Sequence, residues 1–324
     1  LANARGKSID NTHLSIDQAL DRGFVHQDYI AHCLRWSFVV RKLSEGQKYK
    51  TARVLDVGCG VDIPLAKLLY SSKMSPAQYV ALDYNSPDKL KVAPFHTGKF
   101  PIRAFGGVDF ASDDVQVQSK IDCATDPAMT LDRWYTVLGS SRIELPNVVT
   151  CFEVLEHVEP EHAVRMLRKI RYLLAASGKD ARAYVSTPCW DPHVGAAGNH
   201  VNEMRREALG SAIENLGLVI EENYGTFASQ KDYRDHMFAE YPEMKQVWER
   251  LKGYYSSSYI ATIFAPLYPD RARNNFWVLR VPRDGEVVER TFPSLADVKT
   301  PWTSSDHWRG LETSLEPSAI PEVA

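Results

Sequence analysis

The chain has no C-x-x-C pair, no apolar stretch of membrane-span length and almost no net charge. Its five cysteines (Cys33, Cys59, Cys123, Cys151, Cys189) are scattered and odd in number. That argues against a secreted disulfide framework and against a zinc site, and for a reducing compartment. Without a span or an N-terminal signal-peptide pattern, a cytoplasmic setting with no membrane contact is expected. A formal net charge of −3 gives no global attraction to nucleic acid and leaves only local patches to consider. What is present is ordinary for a globule: 44% hydrophobic and 24% charged residues over 324 positions. Such a chain can hold one large domain or two small ones, with a core that needs no staple.

One stretch organises the rest: Arg53-Val54-Leu55-Asp56-Val57-Gly58-Cys59-Gly60-Val61-Asp62. A β-branched apolar run ends in Asp-x-Gly-x-Gly, and Leu65, Leu68 and Leu69 follow at helical spacing. This reads as a buried parallel strand, a glycine turn and a helix whose free N–H groups face a ligand. The next run, Tyr79-Val80-Ala81-Leu82, ends in Asp83, about twenty residues further on, where an acid can accept the hydroxyls of a ribose. The spacing is not G-x-G-x-x-G, and an ordinary βαβ turn or an NAD site shares part of it. Taken together, these residues resemble class I S-adenosylmethionine (SAM) dependent methyltransferases. Leu55-Asp56-Val57-Gly58-Cys59-Gly60 matches their first motif and Asp83 their second-strand acid.

Along the chain, residues 1–25 read as a loosely held arm and 26–43 as a helix on the sheet edge. In that helix Trp36 and the pair Arg35/Arg41 either touch ligand or, the plainer reading, simply cap the core. Prolines 94 and 101 and Gly106-Gly107 mark 86–112 as an irregular insertion. The third strand is then expected at Val115–Ile121, a helix over 128–146, the fourth strand at Val148–Phe152 and the fifth at Ala181–Ser186. An amphipathic helix, Ala163 to Leu174, stops at Gly178. Its basic face (Arg165, Arg168, Lys169, Arg171) lacks interleaved aromatics, so a solvated face is preferred to a nucleic-acid patch. A helix over Glu203–Leu216 leads to a sixth strand, Leu218–Glu221, and Phe276–Val281 is the seventh. Between these last two, an aromatic-rich segment of helical spacing is long enough to be a substrate lid or cap, most of its aromatics packing together. The tail is Pro/Ser/Glu-rich, with Trp302 and Trp308 as anchors to the body.

For chemistry, the most informative acceptor-side signal is Glu153-x-x-Glu156-His157. If a helix begins there, these side chains share one face. Two carboxylates and an imidazole at the sheet's carboxyl edge suit Mg²⁺ or Mn²⁺. His193 and His200 follow the fifth strand. The wording is similar to metal-assisted O-methyltransferases, among them ubiquinone-pathway enzymes and small-RNA 3′-terminal ribose 2′-O-methyltransferases. That resemblance implies a metal set of Glu153, Glu156, His157 and His200. A metal-free reading leaves Glu156 and His157 to the helix start, with His157, His193 or His200 as general base. Pro188-Cys189 follows the fifth strand, whereas the cytosine-5 methyltransferase nucleophile follows the fourth. The Asp/Asn-Pro-Pro-aromatic motif of amino-directed DNA methyltransferases is missing.

The expected fold is a Rossmann-like α/β domain with a seven-stranded, mostly parallel sheet, helices on both faces, and a helical cap inserted between the last two strands. The expected division is 1–48 (arm and helix), 49–225 with 274–283 (SAM-binding domain), 226–273 (cap and substrate region) and 284–324 (tail). The resemblance implies a SAM site of Asp56, Gly58, Cys59, Gly60, Asp83, Tyr84, Asp122 and Glu153. For the adenine side Asp126 and Asp109 stand as alternatives to Asp122. Catalysis is assigned to His157, His200 and Glu153. The function implied is methyl transfer to an oxygen, less readily a nitrogen, of a polar small-molecule or nucleotide-like acceptor. The rivals are a nucleic-acid modifying methyltransferase (RNA ribose 2′-O or DNA) and a catalytically silent partner subunit.

Overall fold

Strands β1 (Arg53–Val57), β2 (Gln78–Leu82), β3 (Ile102–Phe105), β4 (Val148–Phe152), β5 (Arg182–Pro188), β6 (Val219–Phe227) and β7 (Asn274–Arg280) form one sheet. Their order is β3-β2-β1-β4-β5-β7-β6. The first five run parallel, and β7 is antiparallel to both β5 and β6. The computed structural model describes residues 27–92, 95, 100–111, 143–191, 193 and 195–293. Parallel strands covered on both faces read as continuous apolar runs rather than alternating ones, and every residue of β4 is buried.

Helices α1 (Gln27–Ser44) and α2 (Pro64–Ser71) cover one face. There Phe38, Val39, Leu65 and Leu69 share a cluster with Tyr184, Phe276 and Val278. Helices α3 (Pro160–Ser177) and α4 (Arg206–Asn215) cover the other face, packing Leu167, Ile170, Leu209 and Ile213 with Leu55, Val149 and Val185. Each fully buried large apolar side chain stabilises the fold by about 1.5–3 kcal/mol. The strand order reverses between β1 and β4, the place where open α/β sheets take ligands, outside the strands' carboxyl ends.

The third strand is not where the sequence placed it. Ile102–Phe105 pairs with β2, inside the stretch expected to be irregular. Pro101 and Gly106-Gly107, taken as breakers, bracket a four-residue edge strand. Positions 115–121 and the helix expected from 128 lie outside the described residues, as do Trp302 and Trp308. The sixth strand is longer than expected, running to Phe227. Asn223 and Gly225 are poor strand formers, yet the strand continues, with Asn223 and Thr226 bonding across to Asn275 and Asn274 of β7 at 2.9 and 2.7 Å.

Between β6 and β7 stand α5 (Gln230–Glu240), α6 (Met244–Leu251) and α7 (Ser257–Phe264). They carry a separate cluster in which Tyr233 stacks on Tyr268 and Trp248 on Phe264. Pro188 of β5 pairs with Asn274 of β7, so this segment rises from the sheet's carboxyl edge. There α7 packs against α1. Arg273 bonds Asp232 at 2.9 and 3.1 Å and thereby ties the segment's last residues to its first helix.

Candidate active site

The glycine turn after β1 leaves room for a ligand in its second glycine, not its first. Both have positive φ, +65° at Gly58 and +71° at Gly60. A Cβ on Gly58 would lie 2.2 Å from Val154 Cγ2, so this glycine lets the β1 turn close onto the β4 turn. A Cβ on Gly60 would meet nothing within 4 Å and would point into open space. Ile63, fully buried at φ +46°, is a β-branched residue in the left-handed region just before α2. Such strain concentrates at ligand sites.

Around this turn the predicted cofactor residues have distinct placements. Asp56 is buried, and its carboxylate accepts the Tyr79 hydroxyl at 2.5 Å and the Thr150 hydroxyl at 2.7 Å. Burial raises its pKa from 3.8 to about 6 against the pull of those two bonds. It therefore braces β1, β2 and β4 rather than presenting a free carboxylate. The Cys59 side chain is buried in the core with its thiol pushed up by burial, leaving only its backbone in the turn. Asp83 accepts the Gly60 N–H at 2.7 Å on one oxygen, and the Asn85 N–H and side-chain amide, both at 2.8 Å, on the other. A carboxylate has about four acceptor positions, so one remains for a hydroxyl, where the sequence reading expected both ribose hydroxyls. Tyr84 is 81% exposed beside it. Asp122 and Asp126 lie outside the described residues. Asp109 follows β3 and caps the Ala111 N–H at 2.9 Å, which makes it the acid next to the observed third strand.

After β4 the chain does not enter a helix at once. Glu153 has φ +55°, Leu155–His157 is a single 3₁₀ turn, and α3 starts only at Pro160. The E-x-x-E-H residues are split as a result. The Glu153 carboxylate accepts Ser186 Oγ at 2.8 Å and Asn274 Nδ2 at 2.7 Å, and lies 2.9 Å from Arg35 Nη1 of α1. Burial raises its pKa, but Arg35, His32 and these hydrogen bonds outweigh that and hold it below the usual range. Glu156 is buried and accepts Thr187 Oγ1 at 3.2 Å. Burial, with the Glu153 charge second, pushes its carboxyl well up.

Among the described residues Glu156, His157 and His200 form a group whose ligand atoms all lie within 4.8 Å of one another. Glu153 is not in it, because Arg35, Ser186 and Asn274 hold it elsewhere. His157 Nδ1 lies 3.1 Å from the Asn199 carbonyl, which can only accept, so that nitrogen carries the proton. His200 Nδ1 lies 2.5 Å from Glu203 Oε1. With both Nδ1 atoms engaged, neither Nε2 forms a hydrogen bond among the described residues, and His157 Nε2 faces Glu156 Oε1 at 3.9 Å, the arrangement that orients metal-ligating histidines. Exposed His193 stays outside, its N–H capped by Asp191.

A family model described as "Methyltransferase domain" matches residues 32–223, more than half of the chain. The chain belongs to the methyltransferase domain family. The chain is also similar to several solved structures. The methyltransferase domain of bacterial CtHen1-C is 13% identical with a TM-score of 0.43, over 77% of this chain and 97% of that one. Magnesium protoporphyrin IX methyltransferase (ChlM) from Synechocystis PCC 6803, with bound SAH, is 12% identical with a TM-score of 0.44, over 86% and 90%. The small RNA methyltransferase HEN1 is 16% identical with a TM-score of 0.44, over 79% of this chain and 26% of that one. No curated protein matches the chain.

Within this methyltransferase Asn274 and His32 escaped the sequence reading, since no local pattern marks them. Arg35, read from the sequence as either touching ligand or capping the core, stands between Ala31 and Val39 on the buried stripe of α1, where a charge is out of place. On the basic face of α3, Lys169 bonds the Phe110 carbonyl at 3.0 Å, and Arg165 and Arg168 each have a partner. No helix among the described residues is long and apolar enough to cross a membrane.

Proposed function

We propose that this methyltransferase moves the methyl group of SAM to a hydroxyl oxygen of a polar small-molecule or nucleotide-like acceptor. The observation that carries this reading is the convergence of Glu156, His157 and His200 beside a glycine turn with one open glycine. The turn fits a nucleoside cofactor: the space over Gly60 is open, with nothing within 4 Å of a Cβ placed there, and Asp83 keeps one acceptor position for a ribose hydroxyl. Bound SAM supplies a methyl group on a positively charged sulfur. The acceptor oxygen forms the new O–CH₃ bond as the S–CH₃ bond breaks, whose electron pair stays on sulfur, and the hydroxyl proton must leave. The free Nε2 of His157 or His200 can receive that proton. Two imidazole nitrogens and a carboxylate also fit a divalent cation, which would polarise the hydroxyl there.

Calorimetric titration of SAM and S-adenosylhomocysteine (SAH) tests the cofactor half. Both should bind, and Asp83→Ala should weaken them roughly 10- to 100-fold, the loss expected for hydrogen bonds to a charged group. Release of SAH over a panel of catechols, ribosides and other polyols, with and without Mn²⁺, tests the acceptor half. His200→Ala should lower turnover roughly 10²- to 10⁴-fold, as for loss of a general base, while SAH still binds. Failure of both nucleosides to bind would overturn the reading.

A further inference from the structure

The feature left without a purpose by that reading is the buried Arg35–Glu153 pair. Arg35 is 3% exposed and comes from α1, far from β4 in sequence. Its Nη2 bonds His32 Nδ1, and its Nη1 approaches Glu153 Oε1 off-axis at 2.9 Å. Neither Nη1 nor Nε has a formed hydrogen bond among the described residues. Trp36 and Phe152 lie 5.5 and 5.8 Å from the guanidinium.

Stability does not account for this arrangement. A buried ion pair is often no more stable than an apolar pair of the same volume, and unpartnered buried donors make it worse. Glu153 adds strain of its own, since a non-glycine residue in the left-handed region is unfavourable. What the arrangement does achieve is a fixed carboxylate. Arg35 and Ser186 take Oε1 and Asn274 takes Oε2, so Oε2 keeps a free acceptor position. The Glu153 side chain remains 21% exposed, whereas Arg35 behind it is sealed at 4%. The next residue, Val154, touches Gly58 of the glycine turn. The exposed edge of the carboxylate therefore borders the cofactor cradle on the side of β5, β7 and the inserted helices.

We propose that Arg35 is a positioning residue: from α1 it holds the Glu153 carboxylate at the point of methyl transfer, where Glu153 takes an O–H or N–H donor of the acceptor. This rests on the SAM reading above and adds the acceptor feature that the site selects. An acceptor must offer an O–H or N–H donor beside the reacting atom, whose own proton goes to the histidine, and an anionic acceptor is rejected by the carboxylate.

The test needs no identified acceptor. Sinefungin is a SAM analogue in which an amino-bearing carbon replaces the methyl-bearing sulfur, so its ammonium group points where the methyl would go. Titration of sinefungin and SAH into the full chain should show sinefungin preferred by roughly tenfold or more, as for a charge-assisted hydrogen bond. Glu153→Gln and Arg35→Leu should each remove that preference while SAH affinity holds. Arg35→Lys, which keeps the charge without the planar fork, should restore part of it. SAH binding serves as the folding control for every variant. A preference that survives Glu153→Gln would show that the carboxylate is not at the transfer point and would overturn the proposal. One that survives Arg35→Leu but not Glu153→Gln would remove Arg35 from its role. Failure of SAH to bind the unaltered chain would instead sink the SAM reading, and this proposal with it.

Discussion

The two glycines of the cofactor turn should fail in different ways when each is given a single methyl group. Both sit at positive φ, so Ala at either position adds strain of about 1–2 kcal/mol. At Gly58 the new Cβ also lies 2.2 Å from Val154 Cγ2. Valine cannot turn away, because its Cγ1 and Cβ already lie 3.5 Å from the same point and its χ1 is stiff. Overpacking of this kind costs about 1–3 kcal/mol more. Gly58→Ala should therefore lose about 2–5 kcal/mol of stability and Gly60→Ala only about 1–2. Urea unfolding midpoints would measure this, and calorimetry with SAH would complete it. Gly60→Ala should fold and yet bind SAH at least about tenfold more weakly, since its Cβ enters the open cradle. Adding Val154→Ala to Gly58→Ala should recover most of the clash, leaving the backbone strain. Equal stability losses for the two alanines, or no recovery with Val154→Ala, would refute the packing logic.

The buried Asp56 makes stability depend on pH. Its folded-state pKa of about 6 lies above the ordinary 3.8, so the folded chain holds the proton more tightly. Stability should fall as pH rises from about 4 to about 6, by about 3 kcal/mol, and stay at the lower level above that. Asp56→Asn should lack this slope, and a wild-type minus Asp56→Asn difference that is flat across the window would contradict it. At the far end of the chain, Phe292 seats its ring on Gly210 while the Thr291 and Phe292 N–H groups bond Glu214 at 2.8 and 3.1 Å. Gly210→Ala would put a Cβ 2.6 Å from that ring and should expose Arg290 to faster tryptic cleavage; unchanged cleavage would show that the contact does not hold the segment.

The parallel strands were legible because burial on both faces leaves an uninterrupted apolar run, as in Val148–Phe152. The exception is instructive. An edge strand of four residues, Ile102–Phe105, has half-buried side chains and an exposed Arg103, so it carries little hydrophobic signal between Pro101 and Gly106. The polar half of β6 was missed for a related reason. On an edge, Asn223 and Thr226 satisfy their polar groups across the strand instead of avoiding it. Phe292 was overlooked because a single aromatic in a Pro- and Glu-rich tail has no periodicity to betray its packing.

The site divides along the same line. Gly58, Gly60 and Asp83 act largely through backbone shape and neighbouring turns, which local sequence encodes. The proposed acceptor side draws on α1, β4, β5 and β7, and no local pattern links Arg35 to Asn274. The wording E-x-x-E-H suggested one cluster only because it assumed a helix, in which residues three and four apart share a face. One backbone torsion defeats that assumption. With Glu153 at φ +55° ahead of a 3₁₀ turn, its side chain meets Arg35, Ser186 and Asn274, while Glu156 and His157 turn toward Thr187 and His200. Two polar stations result where one was expected: a carboxylate fixed by α1, and a two-histidine group fixed by the loop after β5. Under the proposed function they divide the labour, the first orienting the acceptor through an O–H or N–H beside the reacting atom and the second receiving the proton of the reacting hydroxyl. Glu153→Gln should therefore act on orientation and His200→Ala on proton removal. If one network did both, the two substitutions together would cost no more than either alone, whereas separate stations make their effects on turnover multiply.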